Sequence, residues 1–214
     1  MKYLSFFILL FIGELSVSAQ HMFSRQFPFF NQLSSNEIFS IHQDREGYFW
    51  IGTTNGLARY DGYQLNTFRT DYKNQNLLTD NGITAINDND LYVWIGTWKG
   101  LNLYNKKTCR ITPFSDARLL NKVVDAITVD KDGNVWVSAG GMIYRCDSTA
   151  HIIKEYEVGN IQEGYAISNI YVDQQKQLWA VGSRGIFRYE PETDSFFRYP
   201  PLGNGHTAYI MHQD

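Results

Sequence analysis

The sequence predicts an all-β fold: a β-propeller of four-stranded antiparallel blades, incomplete, with four full repeats and the start of a fifth. Three observations predict it. Trp50, Trp94, Trp136 and Trp179 recur at intervals of 44, 42 and 43 residues. Asp44, Asp88, Asp130 and Asp173 stand six residues before them. Leu57, Leu101, Ile143 and Ile186 stand seven residues after them, and Tyr60, Tyr104, Cys146 and Tyr189 ten after. Internal repetition at this period marks propellers and solenoids.

The first copy shows how each repeat divides into strands. Ile38 to Gln43 reads as strand a, and Asp44-Arg45-Glu46-Gly47 as a turn. Tyr48 to Thr53 reads as strand b, Thr54-Asn55-Gly56 as a second turn, and Leu57 to Tyr60 as strand c. Asp61-Gly62 is a hairpin turn of the kind that needs positive φ, and Gln64 to Arg69 reads as strand d. Each tryptophan is flanked by apolar residues: Phe49 and Ile51, Val93 and Ile95, Val135 and Val137, Leu178 and Ala180. Side chains alternate faces along a strand, so both faces of strand b are apolar and both need cover. Four-stranded sheets covered by copies of themselves are propeller blades.

The aspartate column has a structural reading. Aspartate at the first position of a tight turn accepts hydrogen bonds from backbone N–H groups two or three residues on. The predicted structural repeat set is therefore Asp44, Trp50, Asp88, Trp94, Asp130, Trp136, Asp173, Trp179 and, opening a fifth copy, Asp214. Asp130-Lys131-Asp132-Gly133 has the start of a calcium loop but lacks its later ligands, so no metal is expected.

Composition bounds the rest. The 214 residues are 15% aromatic with a net charge of −3, which gives no basic excess for a nucleic acid. Met1-Lys2-Tyr3, the apolar run Leu4 to Ile12 and the small residues Val17-Ser18-Ala19 have the layout of a secretory signal peptide. The apolar run is about half the length of a spanning helix. Cys109 and Cys146 permit one disulfide in an oxidising compartment, but spacing alone does not say whether they meet. The expected organisation is a signal peptide over 1–19, an N-terminal strand over 20–32, and a partial propeller over 33–214. Its blades fall at about 33–77, 78–119, 120–164 and 165–203, with the start of the next at 204–214.

The repeats resemble the two-component regulator propeller repeat. That pattern has an Asp-x-x-Gly turn, then Trp-Ile-Gly-Thr, then Gly-Leu, then an Arg-Tyr-Asp end. The first copy matches with Asp44 to Gly47, Trp50-Ile51-Gly52-Thr53, Gly56-Leu57 and Arg59-Tyr60-Asp61. The second has Trp94-Ile95-Gly96-Thr97 and Gly100-Leu101. The third and fourth drift to Trp136-Val137-Ser138-Ala139 and Trp179-Ala180-Val181-Gly182. The resemblance implies the periplasmic sensor of a hybrid histidine kinase, sensing oligosaccharides, with further blades, a membrane helix and a kinase core in a region beyond Asp214. It also implies inner-membrane anchoring through that region and a homodimeric full-length form.

Both chain ends carry expectations of their own. Asp214 follows His212-Gln213 as Asp44 follows His42-Gln43, so strand b of a fifth blade is expected next. Arg25-Gln26-Phe27-Pro28 is similar to the d-strand ends Arg110-Ile111-Thr112-Pro113 and Phe197-Arg198-Tyr199-Pro200, which suggests an outer strand that closes the ring.

No catalytic constellation stands out. His21, His42, His151, His206 and His212 lack metal-ligand spacing, and no cofactor is expected. Ligand binding is the favoured reading, ahead of a structural or protein-interaction propeller and of an exported lyase or glycosidase. The b–c turns and the d–a connections emerge on one rim, where the d–a connections vary most. Four residues after each tryptophan stand Thr54, Trp98, Gly140 and Ser183. Trp98 breaks this run of small residues. It is the expected stacking surface for a sugar ring, with Lys99, Asn55 and Arg184 as hydrogen-bond donors.

Overall fold

The computed structural model describes residues 29–70, 77–158, 167–183 and 185–199. The signal peptide over 1–19, the segment 20–28, Arg184 and the fifth repeat with Asp214 lie outside the described residues.

Alternating apolar strands and tight Asp or Gly turns give four meanders, each a separate four-stranded antiparallel sheet. Blade one is β1 (Ile38–Gln43), β2 (Phe49–Thr53), β3 (Gly56–Tyr60) and β4 (Leu65–Phe68). Blade two is β5 (Ile83–Asp88), β6 (Tyr92–Thr97), β7 (Gly100–Asn105) and β8 (Arg110–Pro113). Blade three is β9 (Val124–Val129), β10 (Val135–Ala139), β11 (Met142–Cys146) and β12 (Ile152–Glu157). Blade four is β13 (Ile167–Val172), β14 (Leu178–Gly182), β15 (Gly185–Glu190) and β16 (Ser195–Arg198). The first strands touch in succession, β1 on β5, β5 on β9 and β9 on β13. They form the inner edge of an arc, and the fourth strands lie outside. This is the all-β, incomplete propeller that the repeat predicts.

Each interface joins the tryptophan face of one blade to the opposite face of the next. Trp50 and Leu57 pack with Ile83, Val93, Ile95 and Tyr104. Trp94 packs with Val135, Val137 and Tyr144, and Trp136 with Leu178, Ala180 and Tyr189. Trp50, Trp94 and Trp136 are all fully buried. Truncating such a side chain costs about 3–5 kcal/mol, so the stacked tryptophans dominate the core. Trp179, on the outer face of blade four, is only partly buried. The glycine of Trp-Ile-Gly-Thr sets the blade spacing. A Cβ on Gly52 would lie 2.7 Å from Ile83, and one on Gly96 would lie 2.6 Å from Val124. In blade three Ser138 stands there instead, and its hydroxyl donates to the Ile167 carbonyl at 2.9 Å.

The aspartate column does more than close turns. Asp44 Oδ1 accepts from the Glu46 and Tyr48 amides, while Oδ2 accepts from Trp50 Nε1 at 2.6 Å. Asp130 and Asp173 hold Trp136 and Trp179 in the same way, each at 2.8 Å. The turn and the core tryptophan are thus one hydrogen-bonded unit.

Blade two departs from the predicted set. Its first hairpin is one residue shorter: Asn87 pairs with Trp94, whereas His42 pairs with Trp50. Asn89, not Asp88, therefore takes the turn position and accepts from the Leu91 and Tyr92 amides. Asp88 moves onto the strand end. Its carboxylate accepts from His42 Nε2 and Lys106 Nζ, each at 2.8 Å, and from the Arg45 amide. Of the predicted N-terminal strand over 20–32, only residues 29–32 are described. Phe30–Gln32 form a 3₁₀ turn, closed by Leu33 N–H donating to the Phe30 carbonyl. The turn redirects the chain toward β1, and Phe29 packs against Tyr60 with ring centroids 5.3 Å apart.

Both cysteines are free thiols. Cys109 is exposed in the β7–β8 turn, whereas Cys146 is buried at the end of β11, where burial pushes its thiol up to about 12.

Candidate functional site

The b–c turns are built by the threonine of the repeat. Thr53 Oγ1 donates to the Gly56 carbonyl and accepts from the Asn55 amide. Thr97 does the same with Gly100 and Lys99. The first N–H of each turn then reaches back toward its inner strand. Thr54 donates to Glu37, Trp98 to Gly82, and Gly140 to Val123. All these turns lie on one rim, level with the entry to the inner strands.

Trp98 occupies that rim as an exposed platform. Its indole lies against Gly82, where a Cβ would sit 2.4 Å from the ring. Only glycine lets the backbone approach so closely. Phe39, at the start of β1, meets the indole edge-on with centroids 6.1 Å apart. Trp98 remains 43% exposed and Phe39 54%. An apolar ring pair open to solvent beside polar groups is suited to stacking on a ligand's apolar face.

Two other predicted site residues, Lys99 and Asn55, fall on the same rim but are engaged. Lys99 Nζ lies 3.1 Å from Asp80 Oδ2, pairing an exposed ammonium with a half-buried carboxylate. Asn55 Nδ2 donates to the Ser34 carbonyl, and the Asn55 carbonyl accepts from Arg69 Nε. The Gly56 amide donates to Asn81, the neighbour of Gly82, so the turns carrying Asn55 and Trp98 flank one connection. Arg184 lies outside the described residues.

The inner strands carry a feature that sequence reasoning missed. All four have a β-bulge at the same level. Phe39, Thr84, Asp125 and Ser168 are the extra residues, skipped by the pairing with the second strand. A bulge re-aims a side chain, and here one residue per blade is displaced from its sheet's regular pairing. The run Val124-Asp125-Ala126-Ile127 reads as an ordinary strand, so no local signal marks the bulge.

The opposite rim holds a cleft of about 220 Å³ between blades three and four, lined by Asp130, Lys131, Asp132, Trp136, Lys176 and Tyr189. Asp130 already accepts four hydrogen bonds there, from the Asp132 and Asn134 amides, Asn134 Nδ2 and Trp136 Nε1. That occupancy leaves it poorly suited to a cation. Among the described residues no group of three or more His, Cys, Asp or Glu could hold a metal ion. No helix among them is long and apolar enough to cross a membrane.

Fold and rim together define a segment of a β-propeller. Two stretches, residues 32–55 and 118–141, match the family described as two-component regulator propeller. The chain is similar to the extracellular domain of a protein from B. thetaiotaomicron described as a one-component system, with a TM-score of 0.61 and 22% identity over 76% of this chain. It is similar to a second extracellular domain from that organism, of a protein described as a hybrid two-component system, with a TM-score of 0.53 and 21% identity over 77%. Virginiamycin B lyase from Staphylococcus aureus matches with a TM-score of 0.63 and 18% identity over 78%. The chain spans 22%, 30% and 57% of those three chains, respectively. At these identities the likeness is one of fold. No curated protein sequence matches the chain.

Proposed function

We propose that this chain is the ligand-sensing propeller segment of an exported signalling protein of the two-component kind, and that its ligand is an oligosaccharide. The observation that carries the reading is Trp98. It replaces a small turn residue, rests on a glycine that makes room for it, and keeps much of its surface in water beside Phe39. A core residue would be buried, and a turn residue would be small. The repeat family supports the signalling role, and the leader-like residues 1–19 support export to the periplasm. The segment is read as non-catalytic. Its carboxylates mainly serve turns and blade contacts, and transmission of the signal belongs to other parts of the protein.

The test is binding to the full chain, with cellohexaose, xylohexaose, mannohexaose and maltohexaose as probes, followed by tryptophan fluorescence and calorimetry. At least one probe should bind, and Trp98→Ala should weaken it about tenfold or more, as loss of a stacking aromatic does. Unchanged affinity in Trp98→Ala, or no binding by any probe, would remove the reading.

A further inference from the structure

The bulged residues of the inner strands differ in what they already hold. Thr84 Oγ1 donates to the Val124 carbonyl at 2.5 Å, tying β5 to β9 beside Asp125. Ser168 Oγ donates to the Val181 carbonyl. Phe39 leans on Trp98. Asp125 has no hydrogen-bond or ionic partner among the described residues, although its neighbours Val124 and Ala126 are buried. Most acidic side chains that the structure describes in turns and blade contacts accept from amides or pair with a lysine or arginine. Asp125 does neither, yet it sits in the middle of the arc.

Asp125 is an exposed residue, and the inner strands around it strip enough water from its carboxyl to push the pKa up to about 6. A partly desolvated carboxylate keeps its open face available for hydrogen bonds from water or from a ligand's hydroxyl groups. Bulges that place side chains at one level on successive strands are a known way to aim residues at a site.

We propose that the inner-strand bulges form a single ligand-reading tier, in which Phe39 with Trp98 stacks on one sugar unit and Asp125 accepts hydrogen bonds from the hydroxyl groups of another. This rests on the reading of the Trp98 rim as an oligosaccharide site and extends it to the inner edge of the arc. Successive inner strands are in contact, so a short oligomer laid along the tier passes from blade one to blade three. Thr84, between the two, keeps a lone pair free to accept from the same ligand.

The experiment uses the four hexasaccharides on the full chain, with Phe39→Ala, Asp125→Asn and Trp98→Ala compared with wild type. A fourth variant, Glu155→Gln, changes an exposed carboxylate on an outer strand and controls for net charge. For the probe that binds, Asp125→Asn and Phe39→Ala should each weaken binding about tenfold, and Glu155→Gln should not. Asp125→Asn removes an unpartnered charge, so melting at neutral pH should show it folded and no less stable than wild type. If Trp98→Ala loses binding while Asp125→Asn and Phe39→Ala keep it, the tier is overturned and the rim site stands. If no probe binds, or all three variants bind as wild type does, both fail.

Discussion

Blades one and two share the same Trp-Ile-Gly-Thr strand but hold its tryptophan differently. In blade one, Asp44 takes the indole N–H of Trp50, and the guanidinium of Arg59 lies 5.9 Å from the ring centre, sandwiched toward Tyr48 and Tyr104. In blade two, the turn residue is Asn89 and the cross-strand residue is Leu103. An asparagine has one acceptor oxygen, and Asn89 uses it on the two turn amides while its NH₂ donates to Ser148. Trp94 Nε1 is buried with no partner among the described residues. The same core position is hydrogen-bonded in one blade and held by packing alone in the next. What blade two gains is Asp88. Freed from the turn, it anchors a charged cluster that ties the end of β5 and Lys106, just after β7, to His42 and Arg45 of blade one.

The largest expected effect lies in that cluster. Asp88 is 4% exposed and Lys106 only 7%. Burial alone would raise the Asp88 carboxyl, but hydrogen bonds from His42, Lys106 and the Arg45 amide hold it down at about 2. Asp88→Ala should cost about 3–5 kcal/mol, because it strips a buried ammonium of its main counter-charge. Lys106→Met added to Asp88→Ala should recover part of that loss in chemical denaturation. If Asp88→Ala costs no more than a surface pair, the cluster is not what blade two gained.

The second effect measures the tryptophans directly. Trp50→Phe leaves Asp44 Oδ2 without its indole donor, whereas Trp94→Phe removes an N–H with no partner among the described residues. Both lose ring volume. Trp50→Phe should therefore be costlier by about 1.5–3 kcal/mol, the range for hydrogen bonds to charged groups. Equal shifts in denaturation midpoint would mean that the Asp–Trp bond carries no net stability.

The contrast also shows what the sequence could reveal. The blade, its strands and its core tryptophans were legible because burial on both faces of a repeated strand leaves a periodic apolar trace. The six-residue spacing of aspartate and tryptophan was legible too, as was the turn role of the aspartate, but its bond to the indole was not. In blade two the spacing persists at Asp88, yet hairpin register hands the turn to Asn89. A one-residue change in turn length leaves no mark on an interval counted between side chains. The Trp98 platform was readable as a break in a column of small residues. The bulged residues Phe39 and Asp125 were not, because a bulge depends on backbone pairing across two strands. Phe39 and Asp125 look like any strand residue until the partner register is known.

A third prediction sets Asp88 against Asp125. The two carboxyls are shifted in opposite directions, so their effects on stability run oppositely with pH. For Asp88 the folded value lies below the unfolded one. Its contribution is present above about pH 4 and is lost as pH falls through about 2. For Asp125 the folded value lies above the unfolded one. Its contribution is present below about pH 4 and is lost as pH rises through about 6. Asp125→Asn should thus raise the melting temperature relative to wild type at pH 7 and leave it nearly unchanged at pH 4. A difference that grows toward low pH would contradict the desolvation of this side chain.

The smallest effect converts blade two into blade one. Asn89→Asp supplies the second acceptor oxygen that Trp94 lacks, but it removes the bond to Ser148 and places a carboxylate beside Asp88. Those changes oppose one another, so the net shift in stability should stay within about 1 kcal/mol. The informative quantity is the coupling between positions 89 and 94. With Asn89 present, Trp94→Phe deletes no hydrogen bond. With Asn89→Asp it deletes one to a charged acceptor, and its cost should rise by about 1.5–3 kcal/mol. Additive costs would show that the shorter hairpin of blade two, rather than the missing oxygen, keeps the indole unpaired.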